Sequence, residues 1–278
     1  MLPVDQFRLQ TLDTMSKVKA FSESWAIWRP AVHNLCSLTP TAEQIFSLGN
    51  HLSSIFQSNH IADRGQSGVS VAGKAWECLI VWYLNLVFWG TNVVAITPLK
   101  KHTPKILLNG LAITISNHAT NSESDIIVFS IPDGDVIDKL SLAEINKRID
   151  NKILDTFVTV VQCKTSWADN AQIPMLWDLI YNSTGNRIPN VHVGREGVSP
   201  TSFGKFSYAF VTVPTPPRQN SCRPDMMMTM GATRKRDGSL RGSIQEPGCG
   251  TVIAAGKRGC WYGGQGGRCV AADTGTLA

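Results

Sequence analysis

Asp125-Ile-Ile-Val-Phe-Ser130 and Phe157-Val-Thr-Val-Val-Gln-Cys-Lys164 are two short runs rich in β-branched and aromatic residues, and each predicts a strand. Side chains alternate along a strand, so Gln162 and Lys164 share one face while Val161 and Cys163 take the other. An amide and an ammonium at the end of an interior strand require polar partners. The acid that opens the first run, Asp125, supplies one if the two strands are neighbours, and the three groups together then form a place for a metal ion.

Around this pair the chain reads as a mixed α/β protein. Its 278 residues allow one large domain or two modest ones, with 43% hydrophobic residues. Residues 5–60 read as helical. The clearest segment follows Thr39-Pro40, with Pro at the first helical position and Ile45, Leu48, Leu52 and Ile55 on one stripe. Residues 60–72 read as a polar, glycine-containing loop, and Gly73 to Trp89 as a central helix, apolar on almost every side. Glu77 then falls in the first turns of that helix, where it either caps the positive end of the dipole or reaches a metal site.

Residues 92–97 and 105–116 read as strands, with Asn109-Gly110 as a hairpin turn or bulge. Pro132-Asp-Gly134 ends the acid-bearing strand, and Ser141-Leu-Ala-Glu144 reads as a capping box before a helix carrying Ile145, Ile149 and Ile153. A helix is expected between Lys164 and Tyr181, with Pro174 obscuring its start, and a last strand over 206–213. The expected divisions are a helical region at 1–69, a core at 70–217 and a Gly-rich basic tail at 218–278.

Net charge is +5, and residues 221–278 hold 8 Lys/Arg against 4 Asp/Glu. A polyanionic partner is compatible with that charge and not required by it. The tail also holds 12 of the 23 glycines with little periodicity, which predicts either a flexible basic arm or an out-of-frame replacement of a lost C-terminus. Seven cysteines at irregular spacing, with no C-x-x-C pair, argue against a disulfide framework and the usual zinc patterns. The expectation is reduced thiols in a cytoplasmic protein without a secretory signal or a membrane span. No Gly-x-x-x-x-Gly-Lys-Ser/Thr loop is present, so no nucleotide cofactor is expected. Alternation turns Cys163 toward the core, away from a nucleophile's role.

The chemistry of the strand pair is that of phosphodiester hydrolysis. Magnesium takes hard oxygen ligands and keeps several waters, so an aspartate, an amide oxygen, a main-chain carbonyl and a phosphate oxygen make a reasonable shell. A lysine on the same face orients the nucleophilic water or stabilises the developing charge.

Glu123-Ser-Asp125 on one strand and Gln162-Cys-Lys164 on the next, followed by a helix, resemble the core of the PD-(D/E)xK nucleases, type II restriction endonucleases most of all. Gly73-Lys-Ala-Trp-Glu77 is similar to a Gly-x-Ala-x-Glu helix found upstream of that core in several restriction enzymes. Ser124 stands in place of the usual Pro and Gln162 in place of the second acid, a Gln-x-Lys variant. The gap from Asp125 to Gln162 is also longer than usual, and the Ser141-capped helix fills it.

The resemblance covers residues 70–215. It implies a restriction-endonuclease-like mixed central sheet flanked by helices, with Asp125, Gln162 and Glu77 as Mg2+ ligands and Lys164 serving the attacking water. The implied function is sequence-specific cleavage of double-stranded DNA by a homodimer. The alternatives are a structure-specific repair or recombination nuclease and a non-catalytic DNA-binding protein. For base contacts, Asn186, Arg187 and Arg195 offer side chains able to bond adenine or guanine bidentately, on what is equally an ordinary solvated loop.

Overall fold

A computed structural model describes residues 2–59, 66–115, 118–120, 124–134, 140–165 and 191–213, together with the backbone of four short strands nearer the C-terminus. Four helices come first: α1 (Pro3–Ser16), α2 (Lys19–Leu35), α3 (Ala42–Gly49) and α4 (Leu52–Gln57). The helix expected after Thr39-Pro40 is in fact two. Thr41 is the N-cap and closes a reciprocal capping box with Gln44, so Pro40 lies outside the helix, and the path breaks at Asn50–His51. Leu48, Leu52 and Ile55 are nonetheless buried.

Helix α5 (Gln66–Val87) runs 22 residues and begins well before Gly73, so residues 66–72 are helical and not loop. Packing explains the difference. Ala72, Ala75 and Trp76 are buried, and tertiary burial stabilises turns whose intrinsic propensity is weak. Glu77 therefore sits in the middle of the helix, beyond reach of the terminal dipole, and cannot act as a cap.

The main sheet contains β1 (Val93–Ile96), β4 (Ile126–Ser130), β5 (Phe157–Lys164) and β7 (Lys205–Thr212) in that spatial order. The first three are antiparallel, while β7 runs parallel to β5 after a crossover. Backbone pairing continues past β7 through β10 (Val252–Ala255) to β11 (Trp261–Tyr262), and β8 (Ala232–Arg234) pairs with β9 (Leu240–Gly242). A second small sheet joins β2 (Ile113–Ile115) to β3 (His118–Thr120) and β6 (Val191–Val193).

Residues 105–110, expected as strand, form helix α6 (Lys105–Gly110), and only 113–115 of that stretch is strand. Asn109-Gly110 ends the helix and is not a hairpin turn. The physical reason lies in the neighbours. Ile106 donates its N–H to Oδ1 of Asn146, which satisfies an orphan group at the helix start, and Ile106 and Leu107 are buried. Asn146 belongs to α7 (Leu142–Asn151), where Ser141 accepts from the Glu144 N–H as a cap should. The Glu144 carboxylate, however, pairs forward with Arg148.

Helices cover both faces of the sheet. On one, α2, α4 and α5 pack Trp28, Phe56, Trp76 and Leu79 against Ile126, Val161, Cys163 and Val211. On the other, Phe7, Leu107, Ile145 and Ile149 meet Ile127, Phe129, Val158 and Val160. The mixed α/β architecture of a central sheet flanked by helices is thus present.

Two buried polar groups join the helices to β1. Asn85 on α5 donates to the Ala95 carbonyl at 2.7 Å and accepts from its N–H at 3.2 Å. Arg8 on α1 pairs with Asp5 and donates to the carbonyls of Thr91 and Val93. Among the described residues no helix is long and apolar enough to cross a membrane.

Candidate functional site

The antiparallel register Ile126↔Val161 makes β4 and β5 direct neighbours and brings Asp125, one residue before β4, beside the end of β5 that carries Gln162, Cys163 and Lys164. Asp125 does more than adjoin that end. Its Oδ2 accepts the N–H of Cys163 at 2.7 Å, so a side-chain oxygen takes over from the main-chain acceptors where β4 begins. Among the described residues this bond takes one of the carboxylate's several acceptor sites.

Burial pushes the Asp125 carboxyl up to about 6, and the negative charge of Glu77 adds to the rise. The Cys163 N–H, Lys164 and Lys74 act in the opposite direction without cancelling it. The mutual influence identifies the neighbourhood: Asp125 from the strand start, Lys164 from the adjacent strand end, and Glu77 and Lys74 from α5.

Glu77 is held there by the helix. Ala75, Trp76, Cys78 and Leu79 on either side of it in sequence are all buried, so α5 has little freedom to turn, and the Glu77 side chain is 18% exposed. Lys74, one turn earlier, donates from Nζ to Glu77 Oε2 at 2.6 Å. Burial alone would lower the Lys74 ammonium, but its bond to Glu77 and the surrounding negative charges outweigh that and hold it above the usual lysine range. Lys74 is the member of the cluster that sequence reading overlooked. Its signal was the three-residue spacing from Glu77, which puts both on one helical face.

Gln162 and Lys164 lie on the opposite face of β5 from Cys163, as alternation requires. Cys163 is buried against α5 and its thiol is pushed well up by burial, consistent with a packing role. Gln162 is buried, 5% exposed, on the face that α7 covers, whereas Lys164 is half-buried at the strand end. Glu77 and Gln162 therefore approach Asp125 from different sides of the sheet. Among the described residues no three His, Cys, Asp or Glu side chains gather at metal-binding spacing, and the candidate donor set is two carboxylates and an amide.

The same end of the sheet carries positive charge that sequence reading did not single out. Ile96 pairs with Ile127, so β1 finishes at the end where β4 starts, and the chain leaves it through Lys100-Lys101-His102, all exposed. Arg195 is exposed at a tight turn, where Glu196 and Gly197 both have positive φ, 50° and 79°. Glu196 binds Lys105 at 2.9 Å and Asn109 at 3.0 Å, which ties this turn to α6. Asn186 and Arg187 lie outside the described residues, as does the helix expected between Lys164 and Tyr181.

No protein-family model, curated protein or solved structure matches this chain.

Proposed function

We propose that the chain is a magnesium-dependent DNA endonuclease of the restriction type, with a restriction-endonuclease-like core. The observation that carries this reading is that Glu77 from α5 and Lys164 from the end of β5 both act on the buried Asp125 carboxylate where β4 begins. Asp125 is raised to about 6 chiefly by burial, with the charge of Glu77 adding to the rise, and a hard divalent cation would relieve both, so the residues present fit magnesium. Asp125 and Glu77 would hold the ion on the α5 side of the sheet; Gln162, on the opposite face of β5, would not belong to that set. A bound magnesium ion supplies Lewis-acid charge at the phosphate and a water of lowered pKa.

The chain's own residues do the rest. Asp125 keeps one oxygen on the Cys163 N–H, which fixes the carboxylate, and a carboxylate has further lone pairs with which to ligate an ion. Lys164 offers an ammonium that orients the attacking water and stabilises charge on the phosphate. Lys100, Lys101 and His102 give the same end of the sheet a basic rim suited to the phosphates on either side of the scissile bond. A homodimer would present two such sites to a palindromic duplex, and Arg195 offers a base-reading group.

The test is cleavage of a plasmid panel in Mg2+ by the wild type and Lys164→Ala. Discrete fragments that vanish in the variant support a restriction enzyme. Nicking confined to branched DNA replaces it with a structure-specific nuclease. Binding with no cleavage by either protein replaces it with a DNA-binding protein.

A further inference from the structure

Among the described residues, the cluster at the end of β4 and β5 contains two carboxylates and two ammonium groups, and their arrangement is uneven. Lys164 reaches Asp125 only through its field, whereas Lys74 makes a 2.6 Å charge-assisted bond to Glu77 from one turn away on the same helix. The Lys74 side chain is 40% exposed and that of Glu77 is 18% exposed, so water screens the pair only in part. Lys74 also acts on Asp125 beyond Glu77.

We infer that Lys74 is a built-in counter-cation of this site: bonded to Glu77, it sets a resident positive charge beside the carboxylate that would receive a divalent ion, and so limits how tightly the site binds metal. This rests on the proposed metal site and adds an assignment for a residue to which that reading gives no role. The physical basis is competition. The ammonium takes up one acceptor site of Glu77 Oε2 and sets its charge against the carboxylate, so whichever oxygen an incoming dication takes, it meets a resident positive charge at close range. Among the described residues, removal of Lys74 would leave Asp125 and Glu77 facing one ammonium, that of Lys164; with Lys74 present these groups stand two against two, which favours the coexistence of both carboxylates in the absence of metal. Lys74 is thus a positioning residue, acting on the ion through Glu77.

The experiment is calorimetric titration of the full chain with MnCl2 at pH 8, without DNA, where Asp125 is ionised. Lys74→Met should bind Mn2+ on the order of tenfold more tightly than wild type, the scale on which an opposite charge at this range shifts a carboxylate. Lys74→Arg, which keeps the charge, should bind as wild type does. Asp125→Asn should abolish binding in either background. Thermal melts in EDTA serve as the folding check: the partly exposed lysine leaves both Lys74 variants folded, and Asp125→Asn keeps an acceptor for the Cys163 N–H. If Lys74→Met binds no more tightly than wild type while Asp125→Asn still abolishes binding, the counter-cation assignment is overturned and the metal site stands. If no variant shows binding that depends on Asp125, the metal site itself is wrong and the assignment goes with it.

Discussion

The Asp125 carboxylate and the Cys163 amide form a 2.7 Å hydrogen bond that bridges the start of β4 and the end of β5. One oxygen of a candidate metal ligand therefore also completes the sheet. Replacement by Asn retains an acceptor for that N–H, whereas Ala orphans it at a cost of about 1–3 kcal/mol. Asp125→Asn should abolish Mg2+-dependent cleavage and keep the fold; Asp125→Ala should lose both activity and stability. Paired cleavage assays and melts read the difference.

The raised Asp125 carboxyl fixes a pH dependence. In the folded state it binds its proton up to about 6, above the ordinary value of 3.8 for an aspartate, so between those values the folded chain holds more protons than the unfolded one. The associated stability is fully present below about 4 and is lost as pH rises through 6. Asp125→Asn should therefore raise the Tm at pH 8 by about 2–6 °C and leave it unchanged near pH 4. An unchanged melting temperature at pH 8 would show that the carboxylate is not strained by its surroundings.

Cleavage has the opposite dependence, because only ionised Asp125 can hold a cation. Activity at limiting Mg2+ should rise with pH through about 6, and saturating Mg2+ should move that midpoint lower, since an ion favours the charged carboxylate. A rate profile at two Mg2+ concentrations checks this. Identical midpoints would remove Asp125 from the metal.

Lys100 and Lys101 are exposed on the segment leaving β1, so their removal has little to disturb in the core. The double change to Ala should weaken DNA binding at every sequence alike and reduce the slope of log K against log salt by about 1–2. Fluorescence anisotropy on two unrelated duplexes at several salt concentrations measures it. An unaltered slope places the DNA elsewhere.

Asn85 is buried and satisfies both main-chain groups of Ala95. Asn85→Leu fills similar volume but leaves an N–H and a carbonyl without their partner, so it should lower stability by about 2–5 kcal/mol. Urea denaturation provides the number, and a loss below 1 kcal/mol would mean that water or backbone movement replaces the amide.

The strand pair was readable because Val, Ile and Phe at alternate positions leave few other places for such runs, and an acid at one strand start beside a lysine at the next strand end is a local pattern. Helix α6 was not, because Ile106-Leu-Leu108 is too short to distinguish a helical period from a buried strand. What decides it is Asn146, forty residues away, bonding Ile106. The start of α5 was hidden for a related reason: Gly68 and Gly73 read as breaks, and the burial that overrides them comes from the sheet and the other helices. Glu77 could be named from sequence, but its place in mid-helix, and hence its partner Lys74, follows only from where α5 begins.

Arg8 and Asn85 bear on assembly. Val93 and Ala95 are alternate residues of the outermost strand, and their main-chain groups are taken by the Arg8 guanidinium and the Asn85 amide. An outer strand with free carbonyls is a template for a second chain to add itself to. Here the helices close that template from within, so two copies cannot join by continuing the sheet across β1. A homodimer of the kind proposed would have to meet through another surface.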